Sequence, residues 1–201
     1  AYFRYHSHLI AEGITTSGQL SIKWIESDIN RYLNKVMETT DEDYVVASDT
    51  DSVYVVLDRY VSQKFKSEPD TTTIINELDR FAKEDIEPII DKSYQNLASY
   101  LNCYSQRMNM KREVIADKGI WTAKKRYILN AHDVEGVRYK EPTLKIMGIE
   151  AVKSSTPAPC RKAIKDALKV MMSGTEDEMI DFIDQFRKKF RSLPPEEISF
   201  P

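Results

Sequence analysis

Hydrophobic positions recur at helical spacing over residues 17–38, where Ile22, Ile25, Ile29, Leu33 and Val36 fall at steps of three and four. That spacing predicts an amphipathic helix, with a Ser or Thr start signal just before it. A polar break, TTDED, follows, and then YVVASDTDSVYVVL over 44–57. Two short runs rich in β-branched residues around a tight polar turn predict a β-hairpin. From about Thr72 to Leu101 the period is helical again, with Ile74, Leu78, Phe81, Ile86, Ile89, Tyr94 and Leu97 on the apolar stripe. Pro88 sits inside this stretch and is expected to kink or restart it.

Residues 113–152 change character. Strand-like pieces around Val114-Ile115, Tyr127-Ile128-Leu129 and Leu144-Lys145-Ile146 are punctuated by Glu135-Gly136 and Pro142. After Ser154, Thr156-Pro157 supplies an N-cap and a first-position proline for a helix with Ile164, Leu168 and Met171 on its stripe. Gly174 ends it. Thr175-Glu176-Asp177-Glu178 reads as a capping box for a further helix carrying Met179, Ile183, Phe186 and Phe190, which Leu193-Pro194-Pro195 stops. The tail EEISFP then ends without a closing element, as expected for a cut inside a longer chain or for a short ragged C-terminus. No internal repeat and no Gly/Ser linker occur.

Composition narrows the function classes. The chain has 201 residues, 41% hydrophobic and 30% charged, which excludes disorder throughout. No apolar run approaches the ~18–20 residues that span a bilayer, and AYFRYHSHLI is no signal peptide. Cys103 and Cys160 match neither a disulfide framework nor a zinc site, so a reducing compartment is expected. Phosphate-cradling glycine loops are missing. His6 and His8 have the spacing to share a strand face but show no third ligand; His132 falls in an expected turn without a nucleophile partner. The formal net charge of −3 argues against a wholesale polyanion binder, although an average hides local charge.

Two local departures from that average carry candidate chemistry. Between Asp41 and Asp58 the acids are Asp41, Glu42, Asp43, Asp49, Asp51 and Asp58, with no Lys or Arg among them. Asp49 and Asp51 lie two apart at the expected hairpin tip, and side chains two apart in an extended chain share one side. Two carboxylates held together repel, and a hard divalent cation such as Mg²⁺ relieves them. The same Asp-Thr-Asp also suits plain turn chemistry, because Asp caps its own turn. The second departure runs from Arg107 to Tyr127, where seven bases (Arg107, Lys111, Arg112, Lys118, Lys124, Lys125 and Arg126) face only Glu113 and Asp117. Clustered cations beside Trp121 and Tyr127 suit phosphate binding; a solvated charged face would look the same. In a strand, alternation would send Lys124 and Arg126 to one face and Lys125 to the other.

These residues resemble a known family. SDTDSVYVVLD is similar to the third polymerase motif of family B DNA polymerases, written around D-T-D-S. Four further strings agree in order with the polymerases of large tailed bacteriophages: DIEPIID (85–91), MKREVIADKGIWTAKKRYIL (110–129), EPTLKIMGIE (141–150) and KSSTP (153–157). FRYHSHLIAEGIT and GQLSIKWI resemble the segment after the second motif. The first motif, D-x-x-S-L-Y-P, and the second, K-x-x-x-N-S-x-Y-G, do not occur here, and Ser48 stands where many relatives have Gly.

The resemblance implies an α+β fold. It would comprise an antiparallel palm sheet packed on long helices over 1–150, followed by a helical start of a thumb over 151–201. The implied activity is DNA-directed nucleotidyl transfer: a primer 3′-hydroxyl attacks the α-phosphate of a deoxynucleoside triphosphate, with two Mg²⁺ ions in the complete enzyme. Asp51 is the firmer implied metal ligand and Asp49 its companion, both implied as catalytic carboxylates. Thr50, Ser52 and Glu113 are candidate supports. Lys124, Lys125, Arg126 and Tyr127 would grip primer-template DNA, and Lys145 of K-I-M-G would touch the duplex backbone further along. The first-motif carboxylate would come from a missing upstream polymerase portion, so the isolated chain is expected to be inactive. The setting implied is viral DNA replication in host cytoplasm, with no membrane partner. A DNA-binding module without chemistry is the alternative.

Overall fold

A computed structural model describes residues 7–67 and 69–199 of the chain. They divide into two compact units that meet in sequence at Glu113 and Val114.

In the first unit, helix α1 (His8–Val36) starts nine residues earlier than the periodicity predicts. Ser7 caps it, its hydroxyl accepting from the Ile10 amide at 3.5 Å. The sequence signal missed this extension because its apolar residues find no core: Leu9, Ile10 and Ile14 are exposed. The expected stripe begins further on, with Ile25, Ile29 and Leu33 fully buried. His8 lies in this helix rather than on a strand, which removes the shared strand face expected with His6; His6 itself lies outside the described residues.

Strands β1 (Val45–Asp49) and β2 (Ser52–Val55) form the antiparallel hairpin read from the sequence. A short helix α2 (Asp58–Lys64) follows, then α3 (Thr71–Phe81) and α4 (Glu87–Tyr100). The stretch Ala82–Ile86 between the last two is π-helical, with the Glu87 amide donating to the Ala82 carbonyl five residues back. Pro88 explains it. Proline has no N–H to donate, and its ring crowds the carbonyl four residues earlier, so a wider turn relieves the clash without breaking the helix. Ile75 and Ile90 are buried in this stretch, with Phe81, Ala82, Ser93, Tyr94 and Leu97, where Ile74 and Ile89 were expected. The core joins Ile25, Ile29, Leu33, Tyr44, Val45, Tyr60, Phe81, Ile90 and Tyr94. Tyr60 stacks on Phe81 with ring centroids 4.0 Å apart.

The second unit opens with a meander, β3 (Val114–Ala123), β4 (Arg126–Val134) and β5 (Val137–Met147), antiparallel in that order. The strands are longer than the predicted pieces. Pro142 lies inside β5 rather than between elements; β5 is an edge strand, where a missing N–H costs no ladder bond. His132 is likewise in β4, not in a turn, with its Nε2 3.3 Å from Asp117. Glu135 and Gly136 make the two-residue β4–β5 turn with φ of 52° and 86°, the pair of left-handed residues that a tight hairpin needs. Asp133, fully buried, accepts from the Gly136 amide at 2.9 Å and pairs with Arg138 at 2.5 Å.

One sheet face packs on helix α5 (Ala158–Ser173): Ile120, Ile128, Leu144 and Ile146 meet Ile164, Leu168 and Met172. Pro157 is the capping position and Ala158 begins the helix, one residue later than predicted, and Met172 replaces Met171 as the buried methionine. The Thr175–Glu178 capping box is formed in both directions, at 3.3 and 2.8 Å, and starts α6 (Glu176–Arg191). A single turn, α7 (Pro195–Ile198), follows Pro194. Mixed helices and antiparallel sheets match the α+β expectation.

Candidate catalytic and nucleic-acid-binding turns

The acidic turn is built from α1 outward. Asn30 and Asn34 stand one helical turn apart, where asparagine is a poor helix former. Asn30 Oδ1 accepts from the Tyr44 and Val45 amides at 2.9 and 3.2 Å. Asn34 accepts from the Glu42 amide at 2.9 Å and donates to the Glu42 carbonyl at 2.7 Å. The start of β1 is therefore fixed to the half of α1 that carries the buried stripe, and the hairpin projects from that anchor. Sequence reasoning missed both residues; two amides at helical spacing inside an apolar stripe were the available signal.

At the far end of the hairpin, Asp49 pairs with Ser52, leaving Thr50 and Asp51 as the two-residue tip. Thr50 has φ 52°, and the Asp51 amide donates to the Asp49 carbonyl at 2.6 Å, closing a three-residue γ-turn. Ser52 Oγ donates to that same carbonyl at 3.1 Å, while Thr50 Oγ1 donates to the Asp49 carboxylate at 3.0 Å. The two aspartates thus do share the tip, but through a left-handed reversal instead of the extended alternation expected for residues two apart. Such a conformation is unfavourable for a β-branched residue and is found where the surroundings enforce it. Asp49 is half-buried and Asp51 exposed. Burial raises the Tyr94 hydroxyl above the ordinary tyrosine range, and the negative charges of Asp51 and Asp91 push it further.

The donors at this tip are hard carboxylate oxygens, which suit a divalent cation of the same character. Among the described residues no three Asp, Glu, His or Cys side chains gather to hold an ion.

The hydrophobic foundation of the hairpin is braced by ions. Glu77 accepts from Tyr60 at 2.7 Å and from Arg80 at 2.7 Å, and Lys64 lies 3.2 Å away. The Arg80 hydrogen bond is the main cause that brings the Glu77 carboxyl down to about 2, against desolvation, with Tyr60 and Lys64 adding to it.

The basic stretch is sorted by the structure into separate tasks. Arg112 is largely buried against Asp79 at 2.5 Å, and its amide donates to Glu87 at 3.1 Å. Its neighbour Glu113 is exposed. Lys118 donates to the Met172 carbonyl and so caps α5. Lys124 and Lys125 are the two residues of the β3–β4 turn, since Ala123 pairs with Arg126. The predicted alternation of the triplet across two strand faces therefore fails: Lys124 and Lys125 belong to a turn, with Lys125 at φ 62°, and Arg126 opens β4. All three are exposed.

Tyr127 is only 8% exposed and sits across from Trp121 and Met147. Lys145 pairs with Leu129, two positions along from the Tyr127–Met147 pair, so both register pairs fall on the sheet face opposite Ile128 and Ile146.

No protein-family model matches the chain. It is 40% identical to the DNA-directed DNA polymerase of Enterobacteria phage T4 and 43% identical to that of Escherichia phage RB69, over 96% of this chain and 22% of each relative. The chain thus spans about a fifth of the length of the curated relatives it matches. The resemblance to phage family B polymerases read from the sequence is borne out: the chain is related, over nearly its whole length, to part of such enzymes.

Proposed function

We propose, taking kinship with the phage family B DNA polymerases as the premise, that this chain supplies part of a DNA-directed DNA polymerase. Residues through 150 would serve as palm and those from 151 as the start of a thumb. The observation that carries the reading is the strained Asp49-Thr50-Asp51 tip, a conformation with a local energetic cost, in a chain 40–43% identical to two polymerases.

In this reading the primer 3′-hydroxyl attacks the α-phosphate of a deoxynucleoside triphosphate and pyrophosphate leaves. Asp51, exposed at the tip, and Asp49, oriented by the Thr50 hydroxyl, would hold Mg²⁺ together with a carboxylate from elsewhere in the enzyme. Bound there, Mg²⁺ supplies positive charge that offsets the negative charge developing on the phosphoryl oxygens. Lys124, Lys125 and Arg126 would hold the primer-template backbone by phosphate contacts, which position the duplex without reading its sequence. Lys145 would extend that track on the opposite side of the sheet from α5.

The test is primer extension with the chain alone and with the upstream polymerase portion added. Activity is expected only in the mixture, because this sequence contains neither the first-motif aspartate nor the second motif. Template-dependent incorporation by the rigorously purified chain alone, or a mixture indifferent to Asp51→Ala, would overturn the reading.

A further inference from the structure

Gly148 follows β5 with φ 68°, a left-handed conformation that glycine adopts without steric cost. A methyl group placed on it would stand 2.1 Å from the Lys125 carbonyl oxygen and 3.2 Å from both the Lys125 carbonyl carbon and Arg126 Cγ. The nearest obstacle is backbone, so it cannot swing aside as a flexible side chain would. The other left-handed glycine of the sheet, Gly136, has open space at the same position. Gly148 is thus a point of close approach: the chain leaving β5 lies directly against the turn that presents the lysines, and Met147 beside it is in register with Tyr127.

We infer that Gly148 is a positioning residue for the Lys124-Lys125-Arg126 turn, holding its backbone in the conformation in which the three cations engage successive DNA phosphates. This rests on the DNA-gripping reading above and adds to it a residue that touches no DNA. Lys125, left-handed without being glycine, would relax if the facing backbone moved away. Any β-carbon at 148 forces that movement.

The experiment is duplex-DNA affinity of the chain as a function of salt, for wild type, Gly148→Ala, Gly148→Asn and Gly136→Ala, with a Lys124→Ala/Lys125→Ala/Arg126→Ala control. Each lost phosphate contact lowers the slope of log K against log salt by about 0.9. Gly148→Ala is expected to lower it by about one to two such steps. Gly148→Asn, which tolerates the left-handed backbone but still carries a β-carbon, should do the same, and Gly136→Ala should leave it unchanged. Loss of folded protein alone would reduce the bound fraction without altering the slope, so the slope separates positioning from stability.

If the triple variant keeps the wild-type slope, the DNA-gripping reading fails. If the triple variant lowers it and the Gly148 variants do not, this inference alone fails. Should the Gly148 variants not fold, backbone order parameters of the wild type decide: a value near about 0.85 at Lys125, equal to that of the paired strands, supports a held turn, and any value below that of the strands overturns it.

Discussion

The two charged turns solve one geometric problem in opposite ways. Each reverses a β-hairpin in two residues, and each places a non-glycine residue in the left-handed region, Thr50 at φ 52° and Lys125 at φ 62°. The acidic turn is held from within, by the Thr50 and Ser52 hydroxyls and the short Asp51-to-Asp49 backbone bond. The basic turn is held from outside, by the backbone at Gly148. The difference fits the chemistry proposed for each. A metal-binding pair needs its oxygens fixed to a fraction of an ångström, which local hydrogen bonds provide. A phosphate grip needs a backbone platform from which long flexible cations can reach.

The largest expected effect tests the acidic side. In the polymerase completed with its upstream portion, Asp51→Ala should lower the rate of nucleotide addition about 10³-fold or more, because a preorganised electrostatic group at the reacting centre is lost. Asp41→Ala, which removes an exposed acid away from the tip, should leave the rate within about twofold by the modest worth of surface charge. Single-turnover primer extension measures both. Equal losses would mean that acidity, not the turn, is what matters.

The basic side comes next. Lys124→Ala/Lys125→Ala/Arg126→Ala should lower the salt slope by about 2.7, three phosphate contacts at roughly 0.9 each. Between 50 and 200 mM salt the variant's affinity should therefore fall by roughly 40-fold less than that of wild type. Sequence preference should not change, since phosphate contacts carry none. An unchanged slope would reduce the stretch to a solvated charged face.

How much of this was legible beforehand follows from where the deciding interaction lies along the chain. The hairpin at 44–57 was readable because both strands and the turn are contiguous, and the Thr175 capping box because it spans four residues. The start of α1 was not, since Leu9, Ile10 and Ile14 are helical without being buried and so leave no stripe. The roles within the basic stretch were hidden for a different reason. Arg112 and Lys118 are committed to Asp79 and to the Met172 carbonyl, partners 33 and 54 positions away. Gly148 lies within the K-I-M-G string, yet its closeness to Lys125 exists only once β4 and β5 are paired.

A smaller effect separates internal from external support. Thr50→Gly removes the left-handed strain, a gain of about 1 kcal/mol offset in part by glycine's backbone entropy, and also deletes the hydroxyl that orients Asp49. Thermal unfolding should show the chain unchanged or stabilised by up to about 0.5 kcal/mol, while extension by the completed enzyme falls. Unchanged activity with improved stability would show that the γ-turn strain has no functional part.

The last and smallest effect concerns what lies beneath the acidic turn. The Arg80 hydrogen bond, with those of Tyr60 and Lys64, brings the Glu77 carboxyl down to about 2. A carboxyl depressed in the folded state contributes stability that is complete above its unfolded value, about 4.3, and is lost as pH falls through about 2. Glu77→Gln should therefore destabilise the chain most at neutral pH, with the gap to wild type closing as pH falls between those two values. The two tryptophans make the comparison measurable, since Trp24 lies in the unit with the acidic turn and Trp121 in the unit with the basic one. With Trp121→Phe, the Trp24 emission should report the changed acid limb. With Trp24→Phe, the Trp121 emission should report little change, because Glu77, Tyr60, Lys64 and Arg80 all belong to the first unit. Equal shifts at both reporters would mean that the supports of the two turns fail together and that the contrast between them is one of geometry alone.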